Sequence, residues 1–248
     1  MSWNKDSLVS KARIMFEKAS KEDRDDIFFG LFNSIGLELL ERAALSKISP
    51  TLLAENDDLQ RHILFALGHE GGANSPKSII TARVIEMCSK LVPEFEGIKK
   101  FASSMANRRN EEAHSGALAF KEYATDSWIV SFYKTCKILA DFLEITMEDL
   151  MGLEVSKEAN EMLKEDANKI LKEVNDKIAK RKAIFKEDNP DGISEDARKD
   201  NDIKVDAKTF AGYHKVQCPV CGENAVISGV LTGKTQITHE EDSIVERC

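Results

Sequence analysis

Apolar positions recur at helical spacing along most of this chain. Residues 5–19 suit an opening helix. Over residues 23–46, Phe28, Leu31, Phe32, Ile35, Leu39 and Ala43 form a periodic set, which predicts one helix with a single apolar stripe. Asp25 and Asp26 stand at its start and Arg42 and Lys47 toward its end, matching the helix dipole. In the next segment, ISPTLLAENDDLQRHILFALG, Ser49 caps, Pro50 opens and Gly68 closes a helix. After a loop over 68–78, Ser75-Pro76 restarts a helix through Ile79, Ile80, Val84, Met87 and Leu91, which stops before Pro93. Further helices are predicted at 94–112 and 125–143; the latter aligns Ile129, Phe132, Cys136, Leu139 and Phe142. Short connections favour antiparallel neighbours. Residues 1–150 therefore read as an antiparallel helical bundle, and the fold class as all-α.

The pattern changes after residue 150. Residues 151–188 are dense in charge, yet Val155, Ala159, Leu163, Ala167, Ile170, Val174, Ile178 and Phe185 keep a narrow stripe, giving one long amphipathic helix over 154–188. It can pack on the bundle, project as a stalk, or pair with a second copy. Asn-Pro and Asp-Gly turn signals make 189–202 a solvated linker. From Ile203 to Cys248 the chain reads as a small β segment, with AVISGVL and TQITHEEDSIVERC joined by a TGK turn.

Composition narrows the class. The chain has 248 residues, of which 42% are hydrophobic, enough to bury a core, and its few glycines and prolines favour helices. A net charge of −8 argues against broad non-specific nucleic-acid binding and leaves room for a local cationic site. No apolar run approaches the ~18–20 residues of a membrane span, and the first residues lack a signal-peptide pattern. We therefore expect a cytoplasmic protein without membrane association. Cys88 and Cys136 sit in apolar helical patterns and read as small buried hydrophobes.

Cys218-Pro219-Val220-Cys221-Gly222 has the spacing of a zinc knuckle, in which a tight turn aims two thiolates at one ion. Structural zinc takes four ligands. Cys248, after the expected hairpin, fits the first member of a second pair, and the chain then stops, as though truncated within a ribbon. His214 or His239 are the alternative ligands. The zinc is structural and not catalytic.

ANRRNEEAHSG (106–116) concentrates chemistry. His114 can take or give a proton near neutral pH. Arg109 can hold phosphate through two parallel hydrogen bonds, and Asn110 can donate to phosphate or fix the histidine tautomer. Five residues apart, Arg109 and His114 diverge by roughly 140° and about 7.5 Å on an unbroken helix. They converge better if the helix distorts there, or if two copies meet across a symmetric interface, and Ser115-Gly116 just beyond the histidine is a place for the helix to break.

An all-helical domain with Arg109-Asn110-Glu111-Glu112-Ala113-His114 resembles the HEPN superfamily, whose motif is Arg, four to six residues, then His, usually with a polar residue after the Arg. GLELLERAAL (36–45) is similar to the family's earlier Gly-x-Glu-x-x-x-Lys/Arg helix, with Glu38 and Arg42 in those places. The resemblance covers roughly residues 20–150. It implies a homodimeric, metal-independent endoribonuclease, with a 2′,3′-cyclic phosphate as first product, and a setting of toxins or antiviral and abortive-infection effectors with a cognate antitoxin or regulatory protein. Carried over, His114 is general base or acid, Arg109 binds phosphate, Asn110 positions, Glu38 orients Arg109 or His114, and Arg108 adds an RNA contact. Glu111 and Glu112 read as solvated surface. The alternatives are a non-catalytic dimerisation or adaptor module that recruits nucleic acid or protein through its ribbon, and an antitoxin-like or nucleotide-binding adaptor. The loop GHEGGAN (68–74) offers His69 and Glu70 but lacks a phosphate-loop lysine.

Overall fold

The computed structural model describes residues 3–69, 75–210 and 213–227. Among the described residues helices dominate, with one small antiparallel hairpin toward the C-terminus. The chain divides into two compact units, 1–163 and 164–248.

In the first unit, α2 (Ile27–Ile48) is the organising helix. It packs against α1 (Lys5–Ala19), α4 (Thr81–Leu91), α5 (Lys99–His114) and α6 (Ile129–Leu143). A helix touched on so many sides cannot carry a single apolar stripe. Its buried positions run almost all the way round, from Phe29, Gly30, Asn33 and Ser34 through Gly36, Leu37, Leu40 and Glu41 to Ala43–Ser46. This corrects the sequence expectation: Phe28 is 45% exposed, and Leu31, Phe32, Ile35 and Leu39 are only half-buried. The small residues set the packing instead. A Cβ at Gly36 would lie 2.4 Å from the Phe16 ring on α1, and one at Gly30 would lie 2.2 Å from the ring of Phe120. Both helix-weakening glycines are therefore required by close approach.

Three other segments differ from the sequence expectation. Residues 49–68 are not one helix: Pro50–Leu53 forms a 3-10 turn capped by Ser49, and α3 covers only Arg61–Leu67 before Gly68 closes it in a left-handed conformation. Asn56, Asp57 and Asp58 between them compete with helical hydrogen bonding. Ser75-Pro76 does not start α4; Ser78 instead bridges Ala54, and Ile79 N–H donates to Leu53 carbonyl at 2.9 Å. α5 begins at Lys99, behind a 3-10 turn at Phe95–Ile98. After α6 a short α7 (Met147–Met151) carries a capping box between Thr146 and Asp149.

The long helix is α8, Leu153–Asp188. Its first turns close the core of the first unit with Val155, Ser156, Ala159, Met162 and Leu163, and Arg24 forms an ion pair with Glu158. Ile170, Leu171, Val174 and Ile184, farther along, are about half exposed. In the second unit, residues 195–210 correct two expectations at once. They are neither linker nor strand but a helix, α9 (Glu195–Phe210). β1 (His214–Gln217) and β2 (Asn224–Ile227) follow as an antiparallel pair, with His214 opposite Ile227 and Gln217 opposite Asn224. The TGK turn and the strand expected beyond it lie outside the described residues, as do Cys248 and His239. Among the described residues no helix is long and apolar enough to cross a membrane.

Candidate active site and thiolate hairpin

α5 ends where Ser115-Gly116 predicts a break. Ser115 adopts an extended conformation, and its hydroxyl donates to Glu111 carbonyl at 2.7 Å while accepting from Ala117 N–H at 3.1 Å. His114 is thus the last residue of the helix, where a cation is favoured by the dipole.

The helix presents Arg109 to α2. Ala102 and Met105 face the core and Arg109 continues that line, with Ser34 Oγ donating to Met105 carbonyl at 3.0 Å to fix α2 against α5. Glu38 lies opposite. One carboxylate oxygen accepts from Arg42 Nε and Nη2 at 2.8 and 2.7 Å; the other forms an ion pair with Arg109 Nη1. The three side chains are 14–17% exposed. Arg42 also donates to Ser78 Oγ and Ile79 carbonyl, which ties the network to the segment before α4. Burial lowers the pKa of both guanidiniums from the usual value, with the Glu41 carboxylate opposing that shift at Arg42. Both stay cationic.

Arg109 has further partners. Its Nε and Nη2 donate to Asn110 Oδ1 at 3.2 and 2.8 Å, and Nη2 reaches Thr81 Oγ1 at 3.3 Å. The structure therefore brings Glu38, Arg109 and Asn110 together. It leaves His114 apart: the side chain is exposed and makes no hydrogen bond or ion pair among the described residues. Helical spacing places His114 in line with Ser103, Asn107 and Glu111. All three, with Lys99 and Lys100, border an open cleft of about 810 Å³ along α5. Asn110 stands at an intermediate angle, between the Arg109 side and the His114 side of the helix.

Arg108 has partners of its own within the protomer. Its guanidinium stacks 3.6 Å above the Tyr123 ring and donates to Ala119 carbonyl at 3.3 Å. It secures the loop after α5 and also borders the cleft along that helix. Glu112 is also more than surface: its carboxylate accepts from Phe120 N–H at 3.1 Å and holds the same loop. Sequence reasoning missed Thr81, Ser78 and Tyr123. No local signal marks them, because each is recruited by a long-range contact. His69 is exposed at the end of α3, while Glu70 and the following glycines lie outside the described residues.

In the second unit, Cys218 and Cys221 occupy the turn between β1 and β2. Cys218 N–H donates to Glu223 carbonyl at 2.8 Å, Gly222 N–H donates to Cys218 carbonyl at 2.9 Å, and Gly222 takes φ +77° to close the turn. The backbone N–H groups of Cys221 and Val220 face the Cys218 sulfur and lower its pKa, favouring the thiolate that a metal needs. Two soft donors on a tight turn fit one half of a zinc site. Among the described residues no third His, Cys, Asp or Glu joins them, and His214, paired in β1, does not complete the set.

No known protein family matches this chain, and neither a curated protein nor a solved structure shows significant similarity to it.

Proposed function

We propose that the chain is a metal-independent endoribonuclease of the HEPN type that acts as a homodimer. The observation that carries this reading is the Glu38–Arg109–Asn110 network at the α2–α5 contact, one helical turn from an exposed His114 on the cleft side of α5. His114 takes the proton from a ribose 2′-hydroxyl, the 2′-oxygen attacks phosphorus, and the 5′-oxygen leaves with a proton returned by a second acid. The product carries a 2′,3′-cyclic phosphate. Arg109 stabilises the charge on the phosphorane oxygens. Asn110, exposed and bonded to the same guanidinium, is the partner that a phosphate oxygen replaces. Because Arg109 and His114 point to different sides of one helix, a second copy supplies the complementary pair. The bundle is of the HEPN kind, the thiolate hairpin holds structural zinc with Cys248 as a further ligand, and the setting is a cytoplasmic toxin or antiviral effector kept in check by a cognate antitoxin or regulatory protein.

A second reading has its own support. Most Arg109 donors are engaged within the protomer, and Arg108 is engaged by Tyr123 and Ala119. That suits a non-catalytic dimerisation or adaptor module in which the arginines hold the fold. Incubation with RNA in EDTA separates the two. Cleavage leaving cyclic phosphate ends, lost in His114→Ala, supports the nuclease. Equal inertness of both proteins on tRNA, rRNA and mRNA supports the adaptor, and a strict monomer in solution counts against a shared cleft.

A further inference from the structure

The α9–hairpin contact is built almost entirely from polar groups. Arg198 pairs with Glu223 at 3.0 Å, Asn201 Nδ2 donates to Asn224 carbonyl at 2.8 Å, Asn224 Nδ2 donates to Asp202 Oδ1 at 2.7 Å, and Lys215 pairs with Asp206 at 2.9 Å. On α9 these residues fall at 198, 201, 202 and 206, with the buried Val205 among them. This spacing defines one helical face. On the hairpin, Glu223 and Asn224 directly follow Cys221-Gly222, and Glu223 carbonyl accepts from Cys218 N–H. The turn that presents the two sulfurs is also the turn that presents the clasp.

Neither partner is stable alone. An isolated two-stranded hairpin is marginal in water, and this one has strands of four residues with no buried side chain. A helix of this length is marginal as well. α9 has 16 residues, four of them aspartates and one an asparagine, all poor helix formers, and Val205 is its one buried side chain among the described residues. Its sequence reads as a linker for these reasons. What makes it a helix is the hairpin, whose turn, held by the Cys218–Glu223 and Gly222–Cys218 backbone hydrogen bonds, also carries the two sulfurs.

We propose that α9 is a conditional helix, clasped by the hairpin only when Cys218 and Cys221 hold a zinc ion. This rests on the zinc reading of the hairpin given above. Metal binding contributes folding free energy to such modules, and here the clasp passes that free energy to residues 195–210. With zinc bound, the segment after α8 is a docked helix. Without zinc it reverts to the solvated chain that its sequence encodes.

Hydrogen exchange on the whole chain, read by mass spectrometry, tests this. Zinc content is measured first, and exchange at 195–210 is then compared in zinc-loaded and chelated protein. We expect about one zinc per chain and exchange in α9 at least about tenfold faster after chelation, with α2 and α5 unchanged. Cys218→Ser should match the chelated protein. The double variant Arg198→Ala/Asn201→Ala should keep its zinc but exchange fast in α9 even when loaded. A chain that binds no zinc overturns the metal reading and this proposal with it. A chain that binds zinc yet shows the same α9 protection with and without it overturns the coupling alone, as does a clasp variant with undiminished protection.

Discussion

Arg109 on α5 and Glu38 on α2 form an ion pair that is mostly shielded from water, and Arg42 holds the same carboxylate from the other side. One carboxylate thus balances two guanidiniums at a helix–helix contact. Removing it leaves two cations facing each other in a half-dry setting. Glu38→Ala should therefore destabilise the first unit by about 2–4 kcal/mol. A double-mutant cycle with Arg109→Met should give a coupling of about 1–3 kcal/mol. Denaturant unfolding followed by tryptophan fluorescence measures both, since Trp128 lies in the same core. A coupling near zero would show that the pair contributes nothing to holding α2 against α5.

His114 makes the opposite prediction. It is exposed and without a hydrogen-bond or ion-pair partner among the described residues, so His114→Ala should leave stability within about 0.5 kcal/mol. Loss of a general acid or base lowers turnover by about 10²–10⁴-fold. A stable, well-folded and inactive variant is the expected outcome, read from melting temperature and cleavage rate on the same preparation. Unchanged cleavage would remove His114 from the chemistry.

Arg108→Ala should cost stability and spare RNA affinity. The variant loses the stacking on Tyr123 and the hydrogen bond to Ala119 carbonyl, together worth about 1–2 kcal/mol. Because this guanidinium is engaged by Tyr123 and the Ala119 carbonyl, the salt dependence of RNA binding should stay the same. A shallower slope of affinity against salt in the variant would restore the phosphate contact expected from the sequence.

The contrast between Arg109 and Arg108 shows what sequence can and cannot carry here. The end of α5 was legible, because Ser115-Gly116 punctuates it locally. So were the bounds of α8, because a stripe sustained over ten turns leaves few alternatives. The buried faces of α2 were not. The periodicity of large residues points to Phe28, Leu31 and Phe32, whereas the helix packs through Gly30, Ser34, Gly36 and Ala44, where smallness is the signal. α9 was missed because its contact stripe is polar, so a search for apolar spacing sees only a charged linker. Arg108 and Arg109 are neighbours with the same chemistry. Only the fold decides that one meets Glu38 and the other Tyr123.

Glu41 gives a prediction about pH. It is 2% exposed in the middle of α2, close to Cys88 and Cys136, with no hydrogen bond to its carboxyl among the described residues. Burial, only partly offset by the charge of Arg42, raises its pKa to about 8. The unfolded chain releases this proton near 4.5, the ordinary value. Between those two values the folded state binds more proton than the unfolded state, so stability falls as pH rises through that window. The slope from this one group approaches about 1.4 kcal/mol per pH unit and flattens below and above the window. Glu41→Gln keeps the shape and removes the titration. Its unfolding free energy should change less between pH 5 and 8, over about the range of those two pKa values, than that of the parent chain, with the largest gain at the alkaline end. Denaturant midpoints measured across that range decide the matter, and parallel curves for the two proteins would mean that Glu41 ionises in place without cost.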